Sequence, residues 1–170
     1  MILAQTDFIG DIELTQSADI TTALNSFITT NEKKYLRLVL GDDLYIKFNA
    51  DLTDGVPQTT IYKDLLDGKN YEIGSLYYVY RGLKSMLKYF VFYQYKMGTY
   101  TTDTDTGTAI LQKDASIRES RFNVERDAND AWNKGVEILQ EVIFYISNNI
   151  SDFSTYSGMN LKTKHQFYKG

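Results

Sequence analysis

One stretch restricts what this chain can fold into: Ser75 to Met97, SLYYVYRGLKSMLKYFVFYQYKM, a long apolar and aromatic-rich segment. Val79, Leu83, Met86, Phe90 and Met97 recur at i, i+4, i+7, i+11 and i+18, a helical spacing that predicts one long helix with this stripe against a core. Tyr77, Tyr78, Tyr80, Tyr89, Phe92, Tyr93 and Tyr95 fall outside the stripe. They give the helix more apolar perimeter than one layer of neighbours covers, so contact between subunits is expected to cover part of it. The chain holds fourteen Tyr and nine Phe. Tyr joins an apolar body to a polar tip and suits surfaces that become buried by association, as well as a Tyr-rich monomer core.

With 170 residues, the chain has the length of one domain and can bury roughly 70% of its unfolded surface. Its hydrophobic share of 43% and charged share of 24% are those of a soluble globular protein. The absence of cysteine excludes disulfides, thiolate catalysis and Cys-based zinc sites. No window approaches ~18 consecutive apolar residues, so no membrane span is expected. The acidic start MILAQTDFIGDIEL does not fit a signal peptide. Charge is unevenly spread: residues 1–68 hold eleven acids and five bases, a balance of −6, and residues 69–170 hold eleven acids and thirteen bases, a balance of +2. Such halves can attract, within one chain or between copies. A net acidic chain with no basic run is a poor sequence-specific binder of nucleic acid.

Taken in order, Met1 to Gln16 reads as an extended arm. A first helix, capped by Ser17 or Asp19, buries Ile20, Leu24, Phe27 and Ile28 and stops near Thr29 to Asn31. A second runs from Asn31 to about Ala50 with Leu36, Val39, Leu40, Leu44 and Phe48 inward. Gly41 marks either a close packing point or a junction recapped by Asp42 or Asp43. DLTDGVPQTT, with the single proline Pro57, is a connecting breaker. A short helix follows from Thr59 to Asp67, stopped by Gly68, and GKNYEIG links it tightly to the Ser75 helix. After Met97, Thr-rich runs at Thr99–Thr102 and Gly107–Leu111 predict a hairpin. Ser116 and Glu119 form a capping box for the longest helix, which reaches about Asn149 with Ala128, Trp132, Val136, Leu139, Ile143, Ile146 and Ile150 as its stripe. The two long helices should pair antiparallel. The expected fold is therefore mainly α: a bundle of four to five helices, with two long antiparallel helices joined by a β-hairpin insertion, an extended N-terminal arm and a C-terminal tail. Residues 1–153 form the domain, 98–114 the insertion and 154–170 the tail.

No constellation for catalysis emerges. Asp103, Asp105 and Gly107 faintly echo a calcium loop, but the distal bidentate Glu is missing. Adjacent Asp42 and Asp43 do not share a helix face, so a solvated helix start explains them better than a metal. His165 is the single histidine and has no partner motif. The expectation is a non-enzyme with no cofactor and no metal. The candidate functional residues are instead contact residues: Tyr80, Tyr95, Tyr100, Asp103, Asp105 and Ile110 between subunits or rings, and Tyr156, Met159, Leu161, Phe167 and Tyr168 in a docking tail made basic by Lys162, Lys164 and Lys169.

YLRLVLGDDLY, YKDLLDGKNYE and YRGLKSMLKYFVFYQYKMGTYTTDTDTG resemble the helical head-to-tail connector proteins of tailed bacteriophages, in particular the ring proteins of crAss-like phages. The resemblance spans about residues 17 to 150 and rests on packing and turn motifs, with no catalytic residues to carry over. It implies a homo-oligomeric ring, commonly a dodecamer, in the neck of the virion. That ring would contact the portal protein and later neck or tail proteins, and DNA would pass through its lumen without sequence-specific binding or membrane contact. A cellular helical protein-binding module is the alternative.

Overall fold

A computed structural model of the chain describes residues 1–14, 21–99, 101–104, 107–110 and 121–158. For 21–23, 99, 101–104, 107–110 and 121–122 it describes the backbone alone. Helix α1 (Thr21–Leu40) runs straight through the expected stop at Thr29 to Asn31. The reason is local. Thr29 Oγ1 donates to the Asn25 carbonyl and Asn31 Nδ2 to that of Phe27, so these side chains bond back into the helix instead of capping a new one. Leu24, Ile28, Tyr35, Leu36, Val39 and Leu40 then form one continuous buried stripe. The break comes at Gly41, with φ 76°, before α2 (Asp42–Ala50). That left-handed backbone favours glycine, and a Cβ there would strike Ser157. Neither Asp42 nor Asp43 recaps α2; Asp42 instead pairs with Arg37 at 2.7 Å.

The breaker folds into a minimal hairpin, β1 (Leu52–Thr53) and β2 (Val56–Pro57), turned by Asp54 and Gly55 with φ of 53° and 85°. An Asp-Gly pair with positive φ at both positions is the preferred two-residue hairpin turn. Helix α3 (Thr60–Asp67) follows and ends at Gly68 as expected.

The largest correction concerns the Ser75–Met97 segment. It is not one helix. GKNYEIG and SLYYVY form an antiparallel pair, β3 (Lys69–Ile73) and β4 (Leu76–Tyr80), with Tyr71 opposite Tyr78 and Glu72 opposite Tyr77. Helix α4 begins only at Gly82 and ends at Thr99. Gly74, with φ 63°, and Ser75 make the two-residue turn. Aromatic and β-branched residues on both sides favour strand once such a turn holds them together. Leu83, Met86 and Phe90 keep their core role, whereas Val79 and Met97 are exposed.

Strands β5 (Thr101–Thr104) and β6 (Gly107–Ile110) form the expected hairpin, Thr101 opposite Ile110. Helix α5 (Arg121–Asn148) follows. The proposed caps at Ser17, Asp19, Ser116 and Glu119 lie outside the described residues. The fold is thus mainly α: among the described residues there are five α-helices and three small antiparallel strand pairs, with two long helices joined through a hairpin. Arg81 beside Glu141 and Phe90 beside Gly135 show that α4 and α5 run antiparallel.

Between α4 and α5 lies the bundle core. Phe90 stacks on Tyr35 at 4.8 Å and meets Trp132 at 5.0 Å. Beneath it, Gly135 gives the ring its space, because a Cβ there would lie 2.6 Å from Phe90. Ala128, Val136, Leu139 and Ile146 hold the expected α5 stripe and Ala131, Ile138, Val142 and Tyr145 widen it, while Ile150 lies beyond the helix and is exposed. The N-terminal arm coils into two 3-10 turns, Gln5–Asp7 and Gly10–Ile12. It is pinned by the buried Glu32 carboxylate, which accepts from the backbone N–H groups of Ile2 and Leu3 at 2.9 and 2.8 Å. Asp7 with Lys84 and Asp11 with Lys134 tie the arm to α4 and α5.

Two glycine-to-alanine substitutions should act with opposite sign. Gly135→Ala overpacks Phe90 and is expected to destabilise the protein by about 1–3 kcal/mol. Gly98→Ala lies in helix α4 with nothing near its Cβ position and should stabilise it by about 0.5–1 kcal/mol. Chemical denaturation of both variants checks the pair.

Candidate interaction surface

Alternation along β4 sends its side chains to two faces. Tyr78 and Tyr80 pack toward α5; Tyr77 and Val79 are 81% and 69% exposed, with Val79 at the edge of an open groove. On the inward face, aromatic rings form a ladder from core to surface. Phe153, fully buried, lies 6.1 Å from Tyr145, which stacks on Tyr80 at 4.6 Å with the rings 10° from parallel. Tyr145 also meets Tyr71 edge-on at 5.5 Å, Tyr71 stacks on Tyr78, and Tyr78 reaches Phe144 at 5.1 Å. The stacked and edge-on steps are favoured ring geometries, and the two remaining pairs, Phe153–Tyr145 and Tyr78–Phe144, are tilted. The ladder ends in solvent, since Phe144 is 42% and Leu76, at the hairpin tip, 60% exposed.

Where it ends there is an open groove of about 500 Å³, lined chiefly by Tyr71, Tyr78, Val79, Glu141, Ile143 and Phe144. Its walls are mainly apolar, with the Glu141 carboxylate, Gln140 and Ser147 as polar lining. Arg81 holds the hairpin to α5: its guanidinium donates to Glu137 and Glu141 at 2.6 Å each, and its backbone N–H to the second Glu141 oxygen at 3.1 Å. One cation is thus shared by two carboxylates, each of which raises the Arg81 pKa, Glu141 most.

Of the residues proposed from sequence as contacts, Tyr80 is corrected. It is 2% exposed and its hydroxyl donates to the Leu65 carbonyl at 2.6 Å, because the strand turns inward a residue that a helix would have turned outward. Tyr95 is half-buried, edge-on to Phe27 at 6.3 Å. Asp103 and Ile110 lie on β5 and β6, where the backbone alone is described, and Tyr100 and Asp105 lie outside the described residues. Tyr156 is partly buried against the core, and burial raises its pKa. Gly158 presses on the Val39 carbonyl, leaving no room for a Cβ. Met159, Leu161, Phe167 and Tyr168 lie outside the described residues. The exposed set Leu76, Tyr77, Val79 and Phe144 was missed as a group. The legible signal was IG-S flanked by alternating Tyr and Val, a hairpin pattern overridden by the helical spacing that continues beyond it.

Among the described residues, no three His, Asp or Glu side chains cluster to hold a metal ion, and no helix is long and apolar enough to cross a membrane. The chain belongs to a protein family of unknown function, DUF6712, whose model matches residues 36–164. Comparison with curated proteins and with solved structures yields no match.

Burial in the ladder pushes the Tyr145 pKa up to about 12, aided by the nearby Asp64 and Asp152 charges, and pushes that of Tyr80 up as well. The unfolded chain ionises tyrosine near pH 10. This contribution to stability is therefore complete below pH 10 and is lost between about pH 10 and 12, where the unfolded state releases protons that the folded state retains. Thermal melts across that range should show a falling melting temperature, and Tyr145→Phe should flatten the decline.

Proposed function

We propose that this chain is a structural virion protein that works by assembly. Copies form a closed ring, a dodecamer on the phage-connector resemblance, beneath the portal, joining capsid to tail and extending the DNA channel without reading DNA sequence. The observation that carries this reading is the exposed aromatic face of the β3–β4 hairpin and α5, where Leu76, Tyr77, Val79 and Phe144 stand in solvent. An apolar patch continuous with a well-packed core is a mark of a protein interaction surface. A ring requires two different complementary faces on each subunit, and the −6 and +2 balances of residues 1–68 and 69–170 supply charge for such a pairing. The β5–β6 hairpin and the segment after Gly158 are the remaining elements for contact with the portal or a neighbouring subunit.

The groove also favours a second reading, a cellular module that binds a partner chain without catalysis, since a mainly apolar cleft with a few polar groups suits a peptide.

Electron microscopy with particle averaging separates the two. Purified protein, alone or with the portal of its own phage, is expected to form rings with rotational symmetry. A strictly monomeric protein that also ignores the portal overturns the connector reading.

A further inference from the structure

We infer that the groove between the β3–β4 hairpin and α5 receives the segment Met159–Gly170 of a second copy of this chain. This rests on the ring reading and assigns one of its contacts. The groove offers Tyr71, Tyr78, Val79, Ile143 and Phe144 as apolar lining. Its charged surroundings are acidic. Glu141 lines the groove, and it shares the Arg81 cation, just before α4, with Glu137 on the same helix. Lys69, the cation on β3, is already paired with Asp64 at 2.6 Å. Two carboxylates with one cation between them therefore stand at an aromatic cleft.

The segment MNLKTKHQFYKG matches that surface in both respects. It carries Lys162, Lys164 and Lys169 with no acidic side chain, and it supplies Met159, Leu161, Phe167 and Tyr168. Aromatic side chains set in a cleft, with opposite charges at the rim, are the usual division of labour in a protein interface.

The place where the described chain ends favours a second copy as the source. Past the turn Ser151–Thr155, whose Phe153 packs on Tyr145, Gly158 sits against Val39 near the α1–α2 junction, which contributes nothing to the groove lining. Twelve further residues span up to about 40 Å when extended. An exchange of segments of this kind is directional, one copy giving and the next receiving, as ring closure requires.

The test uses full-length chains. One variant, Val79→Lys, puts a positive charge on an exposed groove residue; Phe144→Ser is its second form should the first fold poorly. The other, Phe167→Ser with Tyr168→Ser, removes the aromatics of the segment. A fluorescein-labelled peptide of residues 159–170 is titrated into the segment variant. Binding is expected to weaken at least tenfold when Val79→Lys or Phe144→Ser is added, and to weaken with salt. In sedimentation velocity, neither variant should assemble alone, and their mixture should give a one-to-one pair in which the intact segment of one enters the intact groove of the other. Peptide binding indifferent to both groove substitutions overturns the inference. So does assembly of both variants like the unaltered chain, which leaves the ring reading standing. Peptide binding with no association in the mixture or in the unaltered chain assigns the groove to the chain's own segment and overturns the second copy as occupant. An unaltered chain that neither assembles nor binds portal removes the ring reading separately.

Discussion

Everything else in the molecule leans on the contact between α4 and α5, closed where Phe90 lies over Gly135. Because position 135 has no Cβ, the two helices approach closely enough for Phe90 to fill the space between them and touch both Tyr35 and Trp132. Interiors pack at crystal-like density, so this single arrangement also fixes where α1 can lie. Tyr35 reaches the same ring from α1, and Gln94 on α4 donates to its hydroxyl at 2.6 Å. The arm then closes over α1 through Glu32 and over the long pair through Asp7 and Asp11.

From that frame the β3–β4 hairpin inherits its position. Tyr80 enters the core beside Tyr145 while Arg81, the next residue, is held by Glu141 from α5. The hairpin is anchored at its base and free at its tip, so its inward side completes the core and its outward side meets solvent. A single short strand pair is marginal without a surface to pack on. Here α5 provides that surface, and the aromatic ladder is the packing. The same ladder that stabilises the hairpin makes the exposed patch, since its last rings have no further layer to lie against.

That geometry leaves a rigid aromatic surface open to contact. Rings held by their neighbours on one side present rigid, low-entropy contact area on the other, and rigid aromatic area is what partner binding uses best. Glu141, paired with Arg81, adds a charged group to an otherwise apolar cleft.

Much of the fold was determined by the sequence alone. The periodic stripes of α1, α3, α4 and α5, the stop at Gly68, the β5–β6 hairpin and the antiparallel pairing of the long helices all follow from spacing and turn chemistry, which are local. What tertiary structure decided was where local signals conflicted. Thr29 to Asn31 looked like a boundary, but a continuous buried stripe on both sides carried the helix through it, and Gly41 became the break because Ser157 leaves no space for a Cβ there. SLYYVY fitted a helix by spacing and a strand by composition. Only the surface of α5, with Tyr145 to stack on Tyr80 and Glu141 to hold Arg81, made the strand the better packed choice. For the candidate surface this mattered most. A helix would have exposed Tyr80 and buried Val79; the strand does the reverse, because its side chains alternate every residue and the face against α5 was set by contacts sixty residues apart.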